Sequence, residues 1–155
     1  MMLTALDMLD YRSKNKSPAI FHLFLTILLM LFIFWQSAMP AAVSELESGS
    51  IVSRLAEWLQ ADEDLVSFVV RKGAHFTEFL ILGVSLFLTV RDLRKRPSFW
   101  IPWAIGAAYA VSDELHQHFV PGRSCEVRDM IIDACGVLVG VAICRWMARK
   151  KQNRI

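Results

Sequence analysis

The chain alternates long apolar runs with short polar clusters, and three of its four runs break off before they are long enough to cross a membrane. Ala19 to Met39 carries no formal charge over 21 residues. Residues 79–90 (FLILGVSLFLTV), 99–111 (FWIPWAIGAAYAV) and 134–144 (ACGVLVGVAIC) are almost purely apolar, but each is joined to ionisable residues. Arg71, Lys72, His75 and Glu78 precede the first of these; Asp113, Glu114, His116 and Gln117 follow the second; Arg128, Asp129 and Asp133 precede the third. A helix rises about 1.5 Å per residue and a bilayer core is about 30 Å thick, so about 12 apolar residues cover only about 18 Å. If these segments span, their polar ends are intramembrane. The pattern predicts an all-α integral membrane protein, a four-transmembrane-helix bundle with spans near 18–39, 66–91, 99–118 and 126–147, within one domain over 1–155.

Composition agrees with a membrane chain. The 155 residues are 55% hydrophobic and 21% charged, with a mean hydropathy of +0.40, a poor match to a soluble domain. Arg12, Lys14 and Lys16 ahead of the first stretch, with Ser37, Ala38, Ala41 and Ala42 behind it, also fit a cleaved signal peptide. Signal h-regions usually run about 7–15 residues, so 21 uncharged residues favour a retained span.

Basic residues set the expected orientation. Three precede the first span, four (Arg91, Arg94, Lys95, Arg96) lie between the second and third, and five (Arg145, Arg149, Lys150, Lys151, Arg154) follow the fourth, together 12 of the 17. That side is expected in the cytoplasm, with both termini, which makes a multi-pass protein of the cell membrane. The net charge of +2 adds little: the basic residues mark topology, and no nucleic-acid-binding face is expected. Between Pro40 and about Val70, Ile51, Val52, Leu55, Trp58 and Leu59 fall on one helical face opposite Arg54, Glu57 and Gln60. They predict a short amphipathic outer helix over about 49–60, capped by Ser48 or Ser50, that closes the bundle or serves as a lid. Residues 1–18, with Leu3, Leu6 and Leu9, suggest a second interfacial piece. Cys125, Cys135 and Cys144 have neither disulfide nor zinc spacing and read as packing residues, and His22 reads as a satisfied or interfacial side chain.

The polar clusters share a facing. Arg71, His75 and Glu78 stand at i, i+4 and i+7; Asp113, His116 and Gln117 at i, i+3 and i+4; Asp129, Asp133, Gly136 and Gly140 form one stripe whose glycines allow a neighbouring helix to approach. His75 and Glu78 fall about 6 and 10 Å from one boundary, and Asp129 and Asp133 about 6 and 12 Å from a matching one. These faces are expected to converge on one outward-facing polar cavity, because intramembrane ionisable groups are costly unless paired or functional. Interhelical salt bridges such as Lys72 to Asp129 are the bland alternative.

These residues also carry a resemblance. RKGAHFTEF at 71–79, SDELHQHFVPGR at 112–123 and RDMIIDACG at 128–136 are similar to the VanZ-like family of small membrane proteins, over roughly residues 35–145. The family pattern picks out Lys72, His75, Phe76 and Glu78, then Asp113, Glu114, His116, Gln117, Phe119, Pro121 and Arg123, then Asp129, Asp133 and Gly136; Gln36 and Ser37 match more loosely. The resemblance implies an integral membrane protein with a role in lowering susceptibility to glycopeptides such as teicoplanin.

Two functions are compatible with the residues. In the first, the cavity binds membrane lipids, a lipid-linked or phosphate-bearing envelope component, or a lipoglycopeptide, with Lys72, Gln117, Arg123, Arg128, Asp129 and Asp133 on the ligand. Carboxylates around it outnumber cations by two, with Arg71, Lys72, Arg123 and Arg128 set against Glu78, Asp113, Glu114, Glu126, Asp129 and Asp133. Helix N-termini and the Pro121–Gly122–Arg123 turn work in the opposite sense. In the second, a hydrolase or transferase uses His75, Glu78, Asp113, Glu114 and His116 as acid, base or metal centre, and a divalent metal has His75, His116, Asp113 and Asp129 as candidate ligands. Ser112 and Cys125 are the nearest nucleophiles and are poorly spaced. A proton-coupled transporter is a further reading, which would need an oligomer.

Overall fold

A computed structural model describes residues 17–152, in which five helices follow one another: α1 (Ser17–Ser37), α2 (Ala41–Leu59), α3 (Glu63–Arg94), α4 (Trp100–Gln117) and α5 (Val127–Gln152). The expected N-terminal interfacial piece lies almost wholly outside the described residues.

Local sequence explains the boundaries. At the start of α3 the Asp62 side chain accepts from the Leu65 amide (3.1 Å), Glu63 and Asp64 fill the first turn, and Arg91 and Arg94 fill the last, all complementing the helix dipole. Lys95 then takes a left-handed conformation, φ 58°, and ends it. Pro102 is accommodated in the first turn of α4, where backbone N–H groups have no intrahelical acceptor in any case.

The polar stretches do continue the helices. Glu63–Arg94 runs through Lys72, His75 and Glu78 without a break, and Val127–Gln152 through Asp129 and Asp133. Among the described residues, three helices are long and apolar enough to cross a membrane: residues 18–37, 63–94 and 127–150. The protein is thus all-helical and multi-pass in character. The fourth expected span, α4, carries Asp113 and Glu114 within its 18 residues and is not among the three. It nonetheless packs against α1, α3 and α5. Outward-facing Ile20, Phe24, Leu28, Leu31 and Trp35 leave α1 with an apolar surface that suits lipid.

Pairwise contacts give the helix directions. His22 meets Asp92 (2.8 Å) and Thr26 meets Ser85 and Thr89 (2.8 and 2.9 Å), so α1 is antiparallel to α3. Ser37 meets Asp113, so α1 runs with α4, while Lys72 meets Asp129, so α3 runs with α5. The α3–α5 pair is the tightest. A Cβ on Gly136 would lie 2.5 Å from the Phe76 carbonyl oxygen, and one on Gly140 2.2 Å from that of Leu80; only glycine fits. Ile33, Phe79, Leu82, Leu86, Phe87, Ala110, Val137 and Val141 form the core between the two ends.

One expectation needs correction. The amphipathic helix begins at Ala41, eight residues earlier than 49, directly after Pro40, and the hydroxyl of Ser48 donates to the Ser44 carbonyl inside the helix instead of capping its start. Its buried stripe is Val52 and Ala56 against Val66, while Ile51, Trp58 and Leu59 are exposed. The half of the bundle remote from the polar clusters contains the Thr26–Ser85–Thr89 hydroxyl group and the His22–Asp92 pair, which fits the reading of His22 as a satisfied side chain.

Candidate functional site

Gln36 and Ser37 end α1, residues 71–78 lie in the first half of α3, 113–117 end α4 and 129–133 begin α5, so the helix directions bring all four polar segments to one end of the bundle. Arg91, Arg94, Arg145 and Arg149 lie toward the other end. The close approach at Gly136 seats Asp133, one turn earlier, beside the His75 turn of α3.

A cavity of about 100 Å³ opens at the polar end, lined by Arg71, Lys72, His75, Glu114, Gln117, Arg123, Ser124, Glu126, Asp129 and Asp133 under Ala41 and Ser44 of α2. A second chamber of about 240 Å³, lined by Gln36, Ser48, Ala74 and Glu78, shares Ser44, Arg71, His75 and Arg123 as walls. The amphipathic helix therefore roofs the site, and the Ala41 amide ties it to the Pro121 carbonyl (3.3 Å).

Each charged residue has a distinct setting. Asp113, only 2% exposed, accepts at Oδ2 from Ser37 Oγ (2.7 Å) and Gln117 Nε2 (3.0 Å), while its Oδ1 has no hydrogen-bond partner among the described residues. Asp133, also 2% exposed, has an unpartnered Oδ1, as does His75 at Nδ1. Ligand atoms of His75, Asp113 and Asp133 all lie within 4.8 Å of one another. Lys72 pairs with Asp129. Glu114 accepts at Oε1 from the Glu126 backbone N–H (2.7 Å), tying the end of α4 to the start of α5.

Arg123 donates from Nε to the Met39 carbonyl (2.9 Å) and from Nη2 to that of Gln36 (3.4 Å), so much of its fork holds the end of α1. Burial, then the like charge of Arg71, pull its pKa below the usual arginine value, which places two cations in each other's field across the cavity wall. Among the described residues, Arg71 itself has a single ion pair, a 3.9 Å contact with Glu45, and it faces both chambers. Hydrogen bonds from Ser124 and Arg128 hold the exposed Glu126 carboxyl below the ordinary glutamate range.

Of the expected site residues, Lys72, His75, Glu114, Gln117, Arg123, Asp129 and Asp133 line the main cavity and Glu78 the second chamber, with Asp113 immediately behind. His116 and Arg128 are not brought in. His116 stacks on Phe34 (centroids 4.2 Å apart), and Arg128 lies over Phe68 and donates to Glu126 (2.7 Å). Among the metal candidates, Asp133 stands where His116 and Asp129 were expected. Arg71 and Ser44 are cavity residues that the sequence did not single out as ligands; the position of Arg71 on the His75–Glu78 face was the available signal.

A family model described as VanZ/LLP1 matches residues 21–148, most of the chain and all of these site segments. No curated protein and no solved structure matches.

Proposed function

The chain belongs to the VanZ/LLP1 family, and we propose that its polar cavity binds the phosphate of a lipid-linked cell-envelope component from the outer face of the membrane. The observation that carries this reading is the convergence of Arg71, Lys72 and Arg123 on one membrane-level cavity, with Arg71 and Arg123 in mutual repulsion. An anion between them relieves that repulsion and is bound by it. Arg71 is the principal phosphate ligand, and Lys72, steered by Asp129, is the second. Arg123 adds its remaining guanidinium N–H while holding the end of α1. Ser44 and Ser124 offer hydroxyls, and Arg128 stands at the rim for an approaching headgroup.

In this reading α4 is the fourth span, since 18 helical residues cover about 27 Å. Both termini are cytoplasmic by the distribution of basic residues, so the polar end faces outward. The lipid chain lies along the exposed apolar surface of the bundle while the headgroup enters beneath α2. Occupying or altering such an envelope component is the route by which the protein lowers glycopeptide susceptibility, teicoplanin included. The hydrolase alternative draws on one specific observation, the His75–Asp113–Asp133 group.

Identification of lipids that co-purify with the protein tests the proposal. A phosphate-bearing polyprenyl or phospholipid species, lost from an Arg71→Gln variant, is expected. Recovery of the same bulk lipids from wild type and variant, together with unchanged teicoplanin susceptibility where deletion has an effect, leaves the salt-bridge account of the cluster as the better one.

A further inference from the structure

Intramembrane carboxylates usually have every oxygen engaged, because an unpaired polar atom there has neither water nor protein to interact with. Two carboxylates of the site are offset by neighbours: Lys72 pairs with Oδ2 of Asp129, whose unpartnered Oδ1 has Arg128 at 3.8 Å, and the Glu126 amide donates to Glu114. Asp113 and Asp133 have no ion-pair partner among the described residues. Both are 2% exposed, and each presents an Oδ1 without a hydrogen-bond partner among the described residues, on two different helices. His75 Nδ1, from a third helix, is likewise without one.

We infer that His75, Asp113 and Asp133 form a binding site for one divalent first-row transition metal ion, open toward the cavity. Their ligand atoms lie within 4.8 Å of one another, so small side-chain rotations bring all three onto a common ion, whose bonds of about 2.0–2.2 Å set ligand atoms about 3–4 Å apart. One imidazole and two carboxylates suit Mn²⁺, Fe²⁺, Co²⁺ or Zn²⁺ better than Ca²⁺, which takes six to eight oxygens. The ligand Asp113 has the orienting shell that metal-binding carboxylates need: Ser37 and Gln117 occupy Oδ2 at 2.7 and 3.0 Å and so turn Oδ1 inward. Since His75 and Asp133 line the cavity that also holds Arg71 and Lys72, a metal held by them would be reached by an anion that enters it. A metal there supplies a Lewis acid to a phosphoryl oxygen and acidifies a bound water. This inference rests on the phosphate reading above only for the metal's role, not for its site.

The test is metal content after chelation and reloading of the purified full-length protein with Zn²⁺ or Co²⁺. One ion per chain is expected, with affinity at least tenfold lower in Asp133→Asn and His75→Gln, and retained in His116→Ala, whose ring lies against Phe34 instead. No stoichiometric uptake by wild type, or wild-type affinity in Asp133→Asn, overturns the inference. X-ray absorption of the Zn²⁺-loaded wild type needs no variant to fold: a single imidazole among oxygen ligands is expected, and two imidazoles or a sulfur overturn it. Binding of inorganic phosphate and of a polyprenyl phosphate is read separately. Metal uptake with no phosphate ligand removes the functional reading and leaves the metal site, whereas phosphate binding by a protein that takes up no metal does the reverse.

Discussion

Ser37 closes α1 by donating 2.7 Å to the buried carboxylate of Asp113, a residue 76 positions further on that the same bond holds in place at the far end of α4. The contact joins α1 to α4, as does the 2.6 Å bond from the Tyr109 hydroxyl to the Met30 carbonyl, and it is one of the two bonds that fix Oδ2.

Ser37→Ala is therefore expected to destabilise the protein by about 1–3 kcal/mol, the range for a buried hydrogen bond to a carboxylate. Ser37→Thr, which keeps the hydroxyl, should lose less. Thermal unfolding in detergent measures both, and equal losses would argue against the bond.

The glycines divide into two kinds with opposite signs. A side chain at Gly140 meets the Leu80 carbonyl, so Gly140→Val should cost about 1–3 kcal/mol by forcing α3 and α5 apart. Gly73, on the same α3, has nothing within 4 Å of an added Cβ, and Gly73→Ala should gain about 0.5–1 kcal/mol from helix propensity. The two unfolding temperatures should move in opposite directions.

Glu114 is expected to act on the loop. Glu114→Ala leaves the Glu126 N–H without its acceptor and should cost about 1–3 kcal/mol, while Glu114→Gln retains an amide oxygen and costs less. Hydrogen exchange at Glu126 reports the difference directly: faster exchange in the alanine variant is expected.

Orientation can be read by cysteine labelling in a cysteine-free background. A cysteine at Glu57, exposed on α2, should react with an impermeant reagent on intact cells, and one at Arg96, in the α3–α4 connection, should react only after permeabilisation. The reverse pattern would place the cavity on the cytoplasmic side.

Much of the fold was legible because polar residues fell at helical spacing beyond each apolar run. The expected spans end within a few residues of α1, α3 and α4, and α5 continues five residues past its expected end. The start of α2 was hidden: Ser48, Gly49 and Ser50 imitate a helix start, whereas Pro40 and the Ala41 bond to Pro121, a contact across 80 residues, determine it. Within the site, shared faces were readable but neighbours were not. Three residues along a helix turn 300°, and that 60° offset takes His116 from the face of Asp113 onto Phe34. Asp129 and Asp133 lie on one stripe, and only the register set at Gly136 decides that Asp129 meets Lys72 while Asp133 joins His75 and Asp113.

The central claim, a phosphate-bearing lipid held by the cations of the polar end, is tested most directly by titrating a polyprenyl phosphate into the protein in nanodiscs of uncharged lipid. Saturable binding of one ligand per chain is expected, weakened about tenfold to a hundredfold by Arg71→Gln, as the loss of one charge-assisted contact requires. Binding that does not saturate, or that Arg71→Gln leaves unchanged, would contradict it.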